Sequence, residues 1–517
     1  MSAPPPLCEA VDLSVRYGSL WANRGVSLAV RPGEVVALVG ENGAGKSTLL
    51  HALYGLVPLD GGQVRYHGQP VVPSPQRAIA AGLGLVHQHF MLVPPLTVAE
   101  NVILGQEPRK HGLLDRRRAE EEVRALAVRH GLAIDPRRPV ADLSVGEAQR
   151  VEILKVLYRG ARLLILDEPT AVLTPAEAEG MLRVLRQLVS DPAGGRGLLL
   201  VTHKLDEVMA VADRVVVLRQ GELIASLPAQ ACSPAEIARA MVGRELQPVR
   251  RHPRPAGPAE VALAVHELVV ERDGVRRLDG VTLQVRAGEV LGIAGVEGNG
   301  QTELCAAVMG LLPVRSGSVQ LASAAGLRDI THLPVRARRE AGLAWVPEDR
   351  HRHGLVLDFS LADNLLLGHE GAFCTGWLPW LQVIDRRRLL RHGRQLLDEY
   401  DIQPPEVQAP ARALSGGNQQ KLVVARELSA QPRVILAAQP TRGVDVGAIQ
   451  TIHAQLLGAR DRGAAVLLVS AELDELQKLA DRIAVLYRGR IRAVLDNPPS
   501  CPVQRARLGE LMAGGMA

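Results

Sequence analysis

Aromatic residues are scarce in this chain of 517 residues, at 3% of the composition. The net charge is +5, which can indicate nucleic-acid binding, but the basic residues are dispersed along the chain. Proteins that bind nucleic acids usually cluster their basic residues and supply aromatic rings for base stacking. We therefore interpret the basic balance as a solvated, arginine-rich surface and predict no direct nucleic-acid partner.

The chain also has few cysteines and no long apolar runs. The five cysteines lack C-x-x-C spacing, so neither a disulfide framework nor a zinc site is predicted. No apolar stretch approaches the ~18 residues that a transmembrane helix needs. Met1–Pro6 lacks the basic and apolar pattern of a signal peptide. We expect a soluble cytoplasmic chain that contacts a membrane only through partners.

A glycine-rich segment, GENGAGKST, occupies residues 40–48 and follows the apolar run Val35–Val39. The pattern G-x-x-x-x-G-K-[ST] between a strand and a helix is typical of a phosphate-binding loop. Lys46 is expected to reach the β- and γ-phosphates, and Ser47 is expected to bind Mg²⁺ and to begin a helix. The alternative is a glycine-rich turn with an exposed lysine. The predicted nucleotide-binding residues of this loop are Gly40, Glu41, Asn42, Gly43, Ala44, Gly45, Lys46, Ser47 and Thr48.

Several stretches of the first half recur in the same order in the second half. The recurring pairs are 25–28 (GVSL) with 280–283 (GVTL), 143–147 (LSVGE) with 414–418 (LSGGN), and 163–170 (LLILDEPT) with 434–441 (VILAAQPT). Tandem duplication of a domain explains this order. We predict a first domain at 1–246, a linker rich in proline and arginine at 247–259, and a second domain at 260–517.

Short β-type runs alternate with helical segments in each half, which predicts an α/β core with a mostly parallel sheet. Between Gln88 and Asp142 the chain is charged and helical, including Arg116–His130, and shows no strand pattern. We interpret this stretch as a helical subdomain inserted into the nucleotide-binding core.

Together with Gln88 and His203, the segments GENGAGKST, LSVGE and LLILDEPT form an ordered set of motifs. Nearly the whole chain resembles a fused pair of ATP-binding-cassette (ABC) transporter ATPases. The resemblance implies two tandem P-loop ABC ATPase domains, each with a RecA-like core, an inserted helical subdomain and an antiparallel β subdomain. It also implies ATP and Mg²⁺ as cofactors.

The acidic pair after the apolar run Leu163–Leu166 has the composition that phosphoryl transfer needs. Asp167 is placed to bind Mg²⁺ directly or through water, and Glu168 can polarise the attacking water. Isolated Asp-Glu pairs usually cap helices or face solvent, but the preceding strand and the phosphate loop favour catalysis here. Gln88 follows the run Leu83–Val86, from which its amide could reach Mg²⁺ or water.

The resemblance assigns two further residues of the first half. His203 would contact the γ-phosphate, although a lone histidine is more often structural. Tyr17 matches the position of the family's adenine-stacking aromatic, and a core or edge tyrosine is the alternative.

In the family, two cassettes pair head to tail, so that each nucleotide lies between one phosphate loop and the signature of the other cassette. The resemblance therefore implies that Ser415 and the backbone N–H groups of Gly416 and Gly417 form an anion-binding nest opposite the first phosphate loop. Asp445 would also reach across to that loop. Pairing within one chain and pairing between two chains both remain open.

The second half departs from the family pattern wherever catalysis is expected. The replacements are Gln301 for Lys46, Glu348 for Gln88, Ala438 for Asp167, Gln439 for Glu168, Ala471 for His203 and Arg272 for Tyr17. In the first half, Val145 replaces a signature glycine, and Thr174 stands where aspartate is usual. Head-to-tail pairing places every intact element in one site, so we predict one hydrolytic and one non-hydrolytic site. Nucleotide binding at the second site remains open.

Three further segments narrow the resemblance to one class of ABC transporter. Two segments are similar to those in the ATPases of simple-sugar and nucleoside importers, namely Met241–Glu245 (MVGRE) and 508–514. A third segment, 437–448 (AAQPTRGVDVGA), resembles the nucleoside type. This implies two transmembrane permease subunits, a substrate-binding lipoprotein, and a peripheral position on the cytoplasmic face of the bacterial inner membrane. The alternatives are a simple-sugar importer and a soluble ABC ATPase that acts on ribosomes.

Overall fold

The structure is a computed structural model, and it describes residues 4–18, 20–87, 90–170, 173, 175–191, 194–243, 251–253, 259–296, 298–375, 383–512 and 514–515. The chain divides into two compact units, Met1–Leu246 and Gln247–Ala517. No helix within those described ranges has the length and apolar composition that a bilayer crossing requires.

The first unit alternates strands and helices, as its sequence pattern predicts. Its strands are β1 (Cys8–Tyr17), β2 (Leu20–Val30), β3 (Val35–Val39), β4 (Gly61–Tyr66), β5 (Gln69–Val71), β6 (Leu83–Val86), β7 (Arg109–Lys110), β8 (Leu113–Leu114), β9 (Leu163–Asp167), β10 (Gly197–Val201), β11 (Arg214–Arg219) and β12 (Glu222–Pro228). Its helices are α1 (Lys46–Tyr54), α2 (Pro75–Ala80), α3 (Val98–Ile103), α4 (Arg116–Arg129), α5 (Val145–Tyr158), α6 (Pro175–Ser190), α7 (Leu205–Val211) and α8 (Pro234–Val242).

Two sheets organise the first unit. The central sheet has the order β12-β11-β3-β10-β9-β6 and is parallel except for β12 at one edge. Strands β3 and β10 are buried along their full length, as expected for parallel strands covered on both faces. An antiparallel sheet of order β2-β1-β4-β5 forms the second layer. The carboxyl ends of β3, β9 and β10 therefore share one edge, where ligands bind in such sheets.

The second unit repeats this arrangement. Its strands are β13 (Val261–Arg272), β14 (Val275–Arg286), β15 (Val290–Ala294), β16 (Ser316–Ser323), β17 (Gly326–Asp329), β18 (Leu343–Val346), β19 (Cys374–Thr375), β20 (Val383–Ile384), β21 (Val434–Ala438), β22 (Ala465–Val469), β23 (Arg482–Tyr487) and β24 (Arg490–Asp496). Its helices are α9 (Gln301–Met309), α10 (Val335–Glu340), α11 (Leu361–Leu366), α12 (Glu370–Phe373), α13 (Arg386–Glu399), α14 (Gly416–Ser429), α15 (Val446–Asp461), α16 (Leu473–Leu479) and α17 (Arg505–Met512). Its sheets have the orders β18-β21-β22-β15-β23-β24 and β14-β13-β16-β17.

Helices α3, α4 and α5 share one apolar core in the first unit, consistent with a helical subdomain. The sequence predicts no strand between Gln88 and Asp142, and this is wrong for one short element. The two-residue strands β7 and β8 pair as a hairpin, with His111 and Gly112 at positive φ in the turn. A hairpin of this length is too short to show an alternating hydrophobic pattern.

The predicted linker, 247–259, lies mostly outside the described residues. Two of its described residues form hydrogen bonds with later residues of the second unit. The Arg251 guanidinium donates to the carbonyl of Asn497 at 2.5 Å, and Arg460 donates to the carbonyl of His252 at 2.9 Å. The predicted domain boundaries stay a prediction.

A buried arginine holds the carboxyl end of α9. Arg338 on α10 is 2% exposed and donates at 2.6–2.9 Å to backbone carbonyls. Its acceptors are the carbonyls of Ala307, Val308, Thr331 and Leu333. Two of these carbonyls lie in the last turn of α9, where a helix leaves its carbonyls without internal donors. Arg338 therefore anchors α9 to α10.

Replacing Arg338 with alanine should destabilise the second unit by about 3 kcal/mol, because several buried carbonyls lose their donor. Thermal unfolding of the full chain monitors this loss. Arg336→Ala is the matched control, since Arg336 lies on the same helix with an exposed side chain paired to Glu340. Equal melting temperatures for the two variants would contradict the anchoring role of Arg338.

Candidate functional site

The first glycine-rich loop connects β3 to α1, which begins at Lys46, one residue earlier than predicted. Gly43 and Gly45 adopt φ angles of 83° and 95°. A Cβ on Gly45 would lie 2.1 Å from the carbonyl oxygen of Ala22. Glycine at position 45 is therefore required both by the left-handed backbone and by the lack of space.

Lys46 concentrates positive charge inside this loop. The residue is 7% exposed, and its Nζ donates to the carbonyl oxygens of Gly40 at 2.8 Å and Glu41 at 2.9 Å. The loop backbone thus positions the ammonium group at the edge where β9 and β10 end. A cation held there can neutralise a polyphosphate.

Ser47 and Asp167 form an oxygen pair at the same edge. The Ser47 hydroxyl donates to Asp167 Oδ2 at 3.1 Å, and Asp167 is the last residue of β9. Burial raises the pKa of the Asp167 carboxyl, and the Ser47 hydrogen bond only partly offsets that effect. Mg²⁺ prefers oxygen ligands and is usually bound by one or two protein groups together with waters and phosphates. These two residues fit that ion.

Glu168 is held in an unusual backbone conformation. Its φ is 50°, and its N–H donates to the carbonyl of Val201 at 2.9 Å. Its carboxylate lies 2.9 Å from His203 Nδ1. Burial would raise the pKa of this carboxyl, but the His203 hydrogen bond and the charges of Lys46 and Lys204 outweigh burial and lower the pKa. The carboxylate is therefore ionised at neutral pH, as a general base must be.

Tyr17 is the remaining first-half residue of the predicted site that the structure describes. Tyr17 ends β1 and is 52% exposed, so its ring is accessible, which is compatible with stacking. Gln88 lies outside the described residues, and so does Thr174. Their predicted roles stay predictions.

The signature segment of the second unit is built around glycine. Ser415 caps α14 by accepting from the Asn418 N–H at 3.4 Å. Asp445 caps α15 through the Ala448 N–H at 2.8 Å. A Cβ on Gly417 would lie 2.4 Å from Asp445 Oδ2, so a larger residue would collide with this aspartate. Gly416 has a similar neighbour, because its Cβ would lie 2.8 Å from an Arg350 nitrogen. The contribution of these groups to the first site stays a prediction.

The second glycine-rich loop keeps the backbone of the first but not its charge. Gly298 and Gly300 have φ angles of 89° and 109°, and Gln301 Nε2 donates to the carbonyl of Val296 at 3.0 Å. Gln439 has a φ of 48° and donates its N–H to the carbonyl of Val469 at 2.7 Å. Its amide oxygen accepts from the N–H of Ala471 at 3.1 Å. The scaffold is the same, while the lysine and both acidic groups are absent from these positions.

A comparison with protein families identifies this arrangement. The pattern described as "ABC transporter" matches residues 23–171 and 278–442, once in each unit. The chain belongs to the ABC transporter family. The resemblance and the fold class predicted from the sequence are thereby confirmed, with one ABC cassette in each unit and ATP as the nucleotide of such cassettes.

Several curated relatives match over the whole length. The guanosine import ATP-binding protein NupO of Bacillus subtilis is 45% identical over 98% of this chain and 97% of its own length. The nucleoside import ATP-binding protein NupA of Lactococcus lactis subsp. cremoris is 43% identical over 98% of both chains. The ribose import ATP-binding protein RbsA 1 of Rubrobacter xylanophilus is 40% identical over 99% of both.

One solved structure supports the fold alone. The complex of archaeal ribosomal stalk protein aP1 and archaeal ribosome recycling factor aABCE1 matches with a TM-score of 0.61, over 94% of this chain and 90% of that chain. The identity is 19%.

One residue that organises the first cassette, Glu207, was not predicted from the sequence. Glu207 is buried and accepts from Thr170 Oγ1 at 2.5 Å and from Thr202 Oγ1 at 3.1 Å. It thereby ties the segment after Glu168 to the end of β10. In the second cassette, Glu475 accepts from Thr441 at 2.8 Å. The recurrence of Leu-Asp-Glu at 205–207 and 473–475 was the available signal.

Replacing His203 with alanine should shift the acid limb of the ATPase pH profile to higher pH. The pKa of Glu168 is depressed in the folded cassette, so its carboxylate is protonated only when pH falls through that lowered value. Without the His203 hydrogen bond, one of the influences that lower this pKa is lost, so the pKa rises. Steady-state ATPase rates across acidic pH test this. Ala471→Ser, at the matching position of the second cassette, should leave the limb unchanged, and an unshifted limb in His203→Ala would refute the coupling.

Proposed function

We propose that this chain is the ATP-hydrolysing subunit of a bacterial nucleoside importer. The observation that carries this proposal is whole-chain identity of 45% and 43% to a guanosine and a nucleoside import ATP-binding protein. The chain would lie on the cytoplasmic face of the inner membrane. It would work with two transmembrane permease subunits and a substrate-binding lipoprotein.

The first cassette would perform the hydrolysis. Lys46 is positioned to neutralise the β- and γ-phosphates, and Glu168 to orient the attacking water and accept its proton. Mg²⁺, when bound, would neutralise charge on the phosphates, and Ser47 and Asp167 would hold it. His203 keeps Glu168 ionised and oriented.

The second cassette would supply residues to that site and would not hydrolyse ATP itself. Its position 439 holds a neutral glutamine, which cannot accept a proton from water, and position 301 lacks the lysine charge. The signature group Ser415, Gly416 and Gly417 is intact. Together with Asp445, it would complete the first site by head-to-tail pairing.

Glu168→Gln should reduce steady-state ATPase activity by at least about 100-fold, because it removes the general base while keeping the shape of the side chain. It gives the first cassette the residue that the second cassette already has at Gln439. Gln301→Ala is the matched change in the second phosphate loop and should alter the rate by less than about twofold. Comparable losses in the two variants would overturn the one-site proposal.

The transported solute is tested with the assembled transporter in proteoliposomes. Nucleosides should stimulate ATP hydrolysis, because substrate-loaded binding protein reports to the cassettes through the permeases. Ribose is the competing substrate, since the ribose import relative is 40% identical. Stimulation by ribose but not by nucleosides would replace the nucleoside proposal with a sugar importer. Co-sedimentation with ribosomes instead of co-purification with permeases would remove transport altogether.

A further inference from the structure

The place where Mg²⁺ is expected differs between the two cassettes. In the first, the Ser47 hydroxyl faces Asp167, the carboxylate that ends β9. Within the described parts of the chain, that carboxylate forms no ion pair with a lysine, arginine or histidine, and burial raises its pKa. A desolvated carboxylate of this kind gains stability from an added cation.

In the second cassette the carboxylate comes from another strand. Thr302 replaces Ser47, and its hydroxyl donates to Glu348 Oε2 at 3.2 Å. Glu348 follows β18, at the position of Gln88, whereas β21 ends in Ala438, which has no ligand atom. A hydroxyl and a carboxylate therefore still meet at this edge of the sheet.

A side chain of the protein already neutralises this carboxylate. The Arg442 guanidinium donates to Glu348 Oε1 and forms an ion pair with it. Both oxygens of Glu348 therefore have partners, one from Thr302 and one from Arg442. The main chain of Arg442 is held in turn, because its carbonyl accepts from Arg350 at 3.3 Å and its N–H donates to the carbonyl of Gln439 at 3.1 Å.

Three replacements move the carboxylate and add a cation beside it. The aspartate of the first cassette becomes Ala438, glutamine becomes Glu348, and Ala171 becomes Arg442. Across these three positions, one carboxylate is lost, another is gained, and an arginine stands beside the new carboxylate. The residues of the second cassette do not fit Mg²⁺, since the carboxylate it would need is occupied by a guanidinium.

We propose that Arg442 is a built-in cation that takes the place of Mg²⁺ in the second cassette and keeps divalent metal out of it. This rests on the proposed function, because it takes the first cassette as the one that uses Mg²⁺. Arg442 acts through Glu348 and is a positioning residue. The negative charge of Glu348 is then neutralised at any concentration of Mg²⁺.

Counting bound Mn²⁺ by electron paramagnetic resonance tests this inference, with the full chain and a non-hydrolysable ATP analogue. The wild-type chain should bind about one Mn²⁺, an ion that shares the oxygen ligands of Mg²⁺. Arg442→Ala frees Glu348 beside the Thr302 hydroxyl and should bind about one more. Arg442→Lys keeps the cation and should match the wild type. The Arg442 side chain is half exposed, so these variants should fold, and melting curves check this.

Asp167→Ala locates the counted ion. It should abolish the wild-type ion, while the double variant Asp167→Ala with Arg442→Ala should regain about one. Two ions in the wild type, or no additional ion in Arg442→Ala, would overturn the role of Arg442. If instead the proposed function is wrong, the wild-type chain should bind no Mn²⁺ that is lost in Asp167→Ala. In either case, the role of Arg442 is decided by the difference in bound Mn²⁺ per chain between Arg442→Ala and the wild type.

Discussion

A desolvated carboxylate at the end of a buried parallel strand is the constraint on which the proposed site of the first cassette depends. The strand Leu163–Asp167 is apolar up to its last residue, so Asp167 carries its charge to the rim of the core. Burial raises its pKa, and the ionised form needs positive partners nearby. The hydrogen bond from the Ser47 hydroxyl and the charge of Lys46, which the loop carbonyls hold, both favour the ionised form. These two groups offset the free-energy cost of burying the ionised Asp167 carboxylate.

Both cassettes keep the same backbone at the residue after this strand. Glu168 and Gln439 have φ angles of 50° and 48°, and each donates its N–H to the neighbouring strand. A left-handed conformation at a residue other than glycine carries strain, so the surrounding sheet must hold it in place. The second cassette has therefore changed its side chains without changing its scaffold. It keeps the sequence Leu-Ser-Gly-Gly at 414–417 and lacks the lysine and the acidic pair of the first cassette.

The fold was largely accessible from the sequence, because the repeat and the apolar strands are local signals. The position of the first phosphate loop was accessible for the same reason, with an error of one residue at the start of α1. The hairpin at 109–114 was missed because two-residue strands show no periodicity. Glu207 was missed because the recurring Leu-Asp-Glu marks a repeated position without showing that its carboxylate is buried between two threonines.

The sequence alone determined the duplication, the membership of a family and the asymmetry between the cassettes, since each is a property of residue identity and order. Only the tertiary structure decided which charges are paired. Glu348 and Arg442 are far apart along the chain, and nothing local indicates that they form an ion pair at the end of a sheet. The same holds for Glu168 and His203, which lie on loops after neighbouring strands. Parallel strands bring distant residues to one edge, and the pairing there depends on side-chain geometry that residue order does not contain.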